Sequence, residues 1–185
     1  MLKFKDLDSA FINSAYLSEL WAVQDLLRFK QDHPLEWSSE REKQLQDEVK
    51  HAASLLDCLR KQRVEVEMDV SYSMQERLYS KYINLSLART PEEHAILHEM
   101  TEGRAVWIYK TYLKLRPDSP YKGALLQILE DEKNHFHLDN LSSAGSDFLF
   151  KSLKAIDRML FREVLPQKYG RKIFENQNFW EWYYS

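Results

Sequence analysis

The sequence has little glycine, proline or cysteine, and it has no long apolar run. It contains four Gly, five Pro and a single Cys, Cys58, in 185 residues. One cysteine excludes an internal disulfide and any cysteine-based zinc or iron–sulfur cage, and we expect a reducing cytoplasmic location. No apolar stretch approaches the roughly 20 residues that span a bilayer, so we predict no transmembrane segment. The net charge of −3 gives no basic field for binding nucleic acid.

The abundant feature is long amphipathic stretches, in a chain of which 30% is charged. This composition is typical of an all-α protein, and the length fits one domain, 1–185. Caps, prolines and apolar residues at 3/4 spacing predict four long helices, at about 8–30, 38–63, 90–115 and 121–141. Two helical hairpins are then joined by one long crossover, about 64–90, which is the connectivity of one class of four-helix bundle. An extra C-terminal helix and an aromatic tail occupy about 146–185.

Two strings in the predicted second and fourth helices share the pattern Asp-Glu-x-x-His. They are Asp47-Glu48-Val49-Lys50-His51 and Asp131-Glu132-Lys133-Asn134-His135. Glu and His three residues apart share one helix face, so both can bind the same metal ion. Roughly half a Glu-x-x-His match is expected by chance in a chain of this composition, whereas here there are two, both preceded by Asp. We therefore interpret the strings as metal-binding motifs.

The first and third helices each place a glutamate at the level of these motifs. Glu19 precedes the first hairpin turn by about 15 residues, and Glu48 with His51 follows that turn by a similar count. Glu102 stands in the same relation to the second turn, with Glu132 and His135 after it. At 1.5 Å per residue, all the candidates lie roughly 22 Å from one end of the bundle. The predicted ligand set has six members: Glu19, Glu48, His51, Glu102, Glu132 and His135.

Four carboxylates and two imidazoles form a hard, mostly oxygen-containing ligand set. It suits two divalent first-row metal ions, and we predict two Fe ions, with Mn/Fe and Mn/Mn as alternatives. The alternative without metal is a hydrogen-bonded core of buried Glu and His. Burying four carboxylates without cations is very costly, so the motif and the shared level favour metal.

These residues resemble those of the ferritin-like di-metal carboxylate superfamily, over residues from about 9 to 142. An Asp directly before the motif Glu is most similar to the oxygen-activating branch, which includes acyl-carrier-protein desaturases and bacterial multicomponent monooxygenases. The resemblance implies a ferritin-like bundle in which Asp47 supports His135 and Asp131 supports His51. The chain is shorter than those enzymes and lacks a rubredoxin module. It also has charged Arg60–Arg63 where demethoxyubiquinone hydroxylases have an apolar segment. The resemblance therefore predicts no particular substrate.

Several neighbouring residues are candidates for supporting roles. Tyr16 and Tyr109 lie one to two turns from Glu19 and Glu102, where they line an oxygen or substrate pocket, relay electrons or, as is commoner for aromatics at this spacing, belong to the core. Further candidates near Glu102 are Glu99 and His98, whereas three histidines are predicted to be surface residues: His33, His94 and His137. The tail that ends Phe179-Trp180-Glu181-Trp182-Tyr183-Tyr184 is expected to cover the bundle or a partner subunit, as in a homodimer.

The leading functional hypothesis is a diiron oxidoreductase that activates O₂ to hydroxylate or desaturate a small organic substrate, with electrons from a separate donor. A second hypothesis is peroxide or iron detoxification, as in rubrerythrins, manganese catalases or ferroxidases. A third, from a different class, is a non-catalytic helical bundle whose Glu/His core is structural. Metal content, O₂ chemistry and peroxide turnover distinguish the three.

Overall fold

The computed structural model describes residues 7–66 and 90–133, and all regular structure in these ranges is helical. The elements are α1 (Leu7–Asp32), a short 3₁₀ helix (Pro34–Glu36), α2 (Ser39–Lys61), α3 (Pro91–Leu115) and α4 (Lys122–Glu132). The all-α prediction is confirmed for this part of the chain, with a long gap between α2 and α3. The predicted end of the fourth helix, most of the crossover, the C-terminal helix and the aromatic tail lie outside the described residues.

Helix α2 begins and ends where its local sequence dictates. The Ser38 side chain accepts a hydrogen bond from the backbone N–H of Arg41 (3.3 Å), which caps the first turn. At the other end Arg63 adopts a left-handed conformation with φ of 56°. This lets the N–H of Val64 reach the carbonyl of Leu59 (2.9 Å) and the N–H of Arg63 reach that of Arg60 (2.9 Å). The two bonds form a Schellman motif, which satisfies carbonyls that the helix leaves unpaired.

The chain divides into two compact units, which are described separately. The first unit comprises residues 1–75 and 113–135 and contains α1, α2 and α4. The second comprises residues 76–112 and 136–185, of which 90–112, most of α3, are described. No helix in the described ranges is both long and apolar enough to cross a membrane.

In the first unit α1 and α2 form an antiparallel hairpin, and α2 also contacts α4. The hairpin turn is held by Glu42, whose Oε2 accepts from Lys30 Nζ (2.8 Å) and from Trp37 Nε1 (2.8 Å). Apolar side chains from all three helices supply the core, and burying them provides the main driving force for this arrangement. The most buried are Ile12, Leu17, Leu26, Phe29, Leu55, Leu59, Leu125 and Ile128.

Residues at 3/4 spacing in the sequence predict the inner faces of α1 and α2, and these faces are largely the buried ones. The predicted residues are Ile12, Tyr16, Glu19, Val23 and Leu26 on α1, and Leu45, Glu48, His51, Ala52, Leu55 and Leu59 on α2. On α2, five of the predicted residues are buried and Leu45 is half-buried; the five are Glu48, His51, Ala52, Leu55 and Leu59. On α1, Ile12, Glu19 and Leu26 are buried, while Tyr16 and Val23 are half-buried. Helix α1 buries more than one stripe, because Phe11, Leu17 and Trp21 are also inside.

The segment just before α4 contacts the beginning of α1. Arg116 donates two hydrogen bonds to Asp8, from Nε to Oδ1 (3.0 Å) and from a terminal nitrogen to Oδ2 (2.6 Å). The hydroxyl groups of Ser9 and Tyr121 lie 3.4 Å apart. Because their starts are adjacent and Glu19 and Glu132 meet further along, α1 and α4 run in the same direction. In general, the first and fourth helices are antiparallel in a simple up-down-up-down bundle and parallel in a bundle with a long crossover between the second and third helices.

Candidate metal centre

Four predicted ligands converge in the core of the first unit. Glu19 comes from α1, Glu48 and His51 from α2, and Glu132 from the last position of α4. One donor atom from each side chain lies within 4.8 Å of the other three. All four residues are buried, with exposures of 4%, 2%, 2% and 5% respectively. The group can hold a metal ion.

Two local features bring these side chains to one point. The i, i+3 spacing places Glu48 and His51 on the buried face of α2, and the hairpin brings Glu19 on α1 alongside them. The Ser9 and Tyr121 hydroxyl groups lie 3.4 Å apart at the start of α4, which places the beginnings of α1 and α4 side by side. Glu19 is 10 residues beyond Ser9 and Glu132 is 11 beyond Tyr121, so the two carboxylates reach nearly the same height at 1.5 Å per residue.

The spacing of the donor atoms fits a shared ion. The Nδ1 atom of His51 lies 3.3 Å from Glu132 Oε1, 3.4 Å from Glu19 Oε2 and 3.8 Å from Glu48 Oε2. Two atoms bound to one ion at about 2.1 Å lie about 3.0 Å apart when cis and about 4.2 Å apart when trans. All three measured separations fall between these limits.

The second ring nitrogen of His51 contacts the other Asp-Glu-x-x-His string. Nε2 lies within hydrogen-bonding distance of Asp131 Oδ2 (3.3 Å), and the other oxygen of Asp131 accepts from Gln127 Nε2 (3.2 Å). A carboxylate at Nε2 favours a proton on that nitrogen, which leaves Nδ1, the nitrogen that faces the three glutamates, to bind a metal ion. This is the pairing that the resemblance implies for Asp131 and His51.

The electrostatics of the metal-free cluster centre on His51. Burial lowers the pKa of its imidazole, but contacts with Glu132, Glu19 and Glu48 outweigh this effect and raise the pKa to about 12. A protonated imidazole therefore partly offsets the negative charge of the three buried carboxylates. A bound cation takes over this role when it displaces the proton from Nδ1.

The remaining motif aspartate, Asp47, is buried at 8% exposure and accepts a hydrogen bond from Lys50 Nζ (2.7 Å). The hydrogen bond and the charge of Asp47 raise the pKa of Lys50, and the charge of Asp131 adds to this effect. Lys50 thus lies in the field of both motif aspartates. The predicted partner of Asp47, His135, lies outside the described residues.

The other predicted residues with described side chains belong to α1 or α3. In the second unit Glu102 is buried, and its Oε1 lies 2.8 Å from Nε2 of His98. Tyr109 is also buried, whereas Tyr16 in the first unit is half-buried. The side chain of Glu99 is outside the described set.

The prediction that His94 is a surface residue is wrong, because its exposure is only 5%. Its ring lies nearly parallel to that of His98, with centroids 6.4 Å apart. The signal is present in the sequence: His94, His98 and Glu102 recur every four residues and therefore share a helix face. The Glu-x-x-His spacing, on which the ligand prediction depends, does not include this pattern.

Comparison with known proteins adds no relatives: the chain matches no family model, and searches of the curated proteins and of the solved structures found no match.

Proposed function

We propose that this chain is a non-haem dinuclear metal oxidoreductase that uses O₂ to oxidise an organic substrate, by hydroxylation or desaturation. Its ligands are Glu19, Glu48, His51 and Glu132, joined by two residues that the sequence register predicts, Glu102 and His135. Two iron ions are the proposed cofactor, and a separate protein or small molecule supplies the electrons.

The observation that carries the proposal is the buried group formed by Glu19, Glu48, His51 and Glu132. Three carboxylates concentrated in a core are costly in the absence of a cation, and such a cost is tolerated in proteins mainly at functional sites. Their oxygens with one imidazole suit iron or manganese. The parallel course of α1 and α4 supports the ferritin-like connectivity that the resemblance implies.

The contact between Asp131 and His51 supports the oxygen-activating branch in particular. It links the two Asp-Glu-x-x-His strings across helices, as the resemblance implies for this branch, and it holds the imidazole in the orientation that a metal ligand requires. Iron held by these residues would supply the redox chemistry for O₂ reduction, with its electrons replenished by the separate donor. The residues of the chain bind the ions, set the histidine tautomer and keep bulk water from the buried donor atoms.

The proposal is tested by anaerobic reconstitution of the full chain with Fe(II), followed by exposure to O₂. We expect close to two iron ions per chain and rapid O₂ consumption with a change in the visible spectrum. Glu48→Gln removes a buried ligand, and Glu40→Gln is the matched control because Glu40 is exposed on the same helix. Only the first variant is expected to lose iron and O₂ consumption.

Other results of these experiments would support one of the two alternative functions. Fast peroxide turnover with no organic substrate indicates a detoxification protein. A purified chain that binds no metal, and whose melting temperature does not change with Fe(II) or Mn(II), is a non-catalytic bundle, and the proposal is then wrong.

A further inference from the structure

Helix α3 has a buried polar face of its own within the second unit. His94, His98 and Glu102 follow one another at intervals of four residues, and all three are buried. Residues four apart on a helix are direct neighbours on its surface. The face therefore presents two nitrogen-bearing rings and one carboxylate in a continuous column.

Within this column, His98 and Glu102 are arranged as two ligands of one ion. The distance from His98 Nε2 to Glu102 Oε1 is 2.8 Å, close to the about 3.0 Å that separates cis ligands of a first-row metal ion. An i, i+4 pair on one helix face is an established chelating arrangement, used by the two histidines of the His-Glu-x-x-His zinc motif. Burial adds to the fit, because a desolvated carboxylate gains more from a bound cation than an exposed one does.

His94 lies beside this pair but does not belong to it. Its ring is nearly parallel to that of His98, at an interplanar angle of 13° with the ring centroids 6.4 Å apart. Eight residues separate His94 from Glu102, a rise of about 12 Å along the helix, so the two side chains do not chelate one ion.

We propose that His98 is a metal ligand that binds the same divalent ion as Glu102, so that α3 contributes a His–Glu chelating pair instead of a single carboxylate. This inference rests on the proposed function for the role of Glu102, and it adds a nitrogen ligand that the Asp-Glu-x-x-His strings do not predict. A further imidazole raises the affinity of the ion site for Co²⁺ and Zn²⁺ relative to Mn²⁺.

The test is a titration of the metal-free full chain with Co²⁺, followed by calorimetry and by the visible absorption of the bound ion. His98→Phe replaces the ring and removes its nitrogens, and His94→Phe is the matched control one turn away. His98→Gln keeps an N–H that can donate to Glu102 but is a poor metal ligand. Circular dichroism and melting of the metal-free proteins identify any variant that fails to fold.

We expect the wild type and His94→Phe to bind two Co²⁺ ions. In both His98 variants one of the two ions is expected to bind about 100-fold more weakly or not at all, with an altered absorption spectrum. If His98→Gln binds both ions as tightly as the wild type, Nε2 acts only as a hydrogen-bond donor and this inference is wrong, while the proposed function stands. If the wild type binds no Co²⁺, and no Fe(II) in the reconstitution above, both are wrong.

Discussion

The proton on His51 leads to a quantitative prediction about metal binding. In the metal-free protein the surrounding glutamates hold the pKa of this imidazole at about 12, so at pH 8 it is almost fully protonated. A metal ion can bind Nδ1 only after the proton leaves. We therefore expect the ion that binds at Glu19, Glu48 and His51 to release about one proton at pH 8.

The expected number of protons released per bound ion differs greatly from the number released by an ordinary histidine. With a pKa of 6.5, an imidazole is about 3% protonated at pH 8 and releases only about 0.03 proton per ion. The predicted release is thus roughly 30-fold larger. It is also nearly constant from about pH 7 to pH 10, whereas release from an ordinary histidine falls tenfold per pH unit above its pKa.

The release is measured by titrating Mn²⁺ into the metal-free protein in two buffers of the same pH but different heats of ionisation. The difference between the observed enthalpies gives the number of protons transferred to the buffer. Nitrogen NMR of ¹⁵N-histidine-labelled protein provides a direct control, because both nitrogens of His51 are protonated in an imidazolium ion. His51→Gln identifies the resonance.

Two results contradict the reasoning. A release near zero at pH 8 means that His51 is neutral before the metal binds. A release of one proton from a protein whose His51 is neutral by NMR places the proton on a glutamate, and an imidazolium ion then does not balance the charge of the three carboxylates.

Two further predictions concern the same cluster. The raised folded-state pKa of His51 stabilises the metal-free protein fully below pH 6.5, and this contribution is lost as pH rises toward 12. The free energy of unfolding is measured with urea from pH 7 to pH 10 in the presence of EDTA. We expect the wild type to lose stability relative to His51→Gln by up to about 1.4 kcal/mol per pH unit. Parallel plots of the free energy of unfolding against pH for the two proteins would refute this. Separately, Asp131→Asn removes the charge at Nε2 of His51 and is expected to weaken Mn²⁺ binding about 10–100-fold. Asp57→Asn, at an exposed site on α2, is the control, and equal affinities for the two variants would show that Asp131 does not support the ligand.

Local sequence signals predict the helices well because their causes are local. Ser38 caps α2, and Pro91 with acidic neighbours begins α3, so the predicted starts lie within about two residues of the observed ones. The convergence of Glu19, Glu48, His51 and Glu132 also follows from counting residues between turns, since helices have a fixed rise.

Other features depend on tertiary contacts that a helical pattern does not contain. The extent of burial on α1 is one case, because Phe11, Leu17 and Trp21 are buried beyond the single stripe that the 3/4 spacing marks. The contact between Asp47 and His135 that the resemblance implies stays a prediction, because His135 lies outside the described residues.

The wrong prediction that His94 lies on the surface has a different cause. It has no Glu-x-x-His partner, which favours a surface position, although its neighbour at i+4 is His98. A single polar residue on a helix carries no information about burial, whereas three at regular spacing do.

The contact between His51 and Asp131 spans 80 residues of chain, and the cluster beside it extends from Glu19 to Glu132. An ion bound there would be a reversible cross-link that closes a very long loop. By the chain-entropy relation for cross-links, closing a loop of about 80 residues raises the free energy of the unfolded chain by about 4.5 kcal/mol, comparable to the effect of a disulfide. Under the proposed function, this chain with one cysteine would have a metal cross-link that forms only after α4 has been synthesised and that a strong chelator opens.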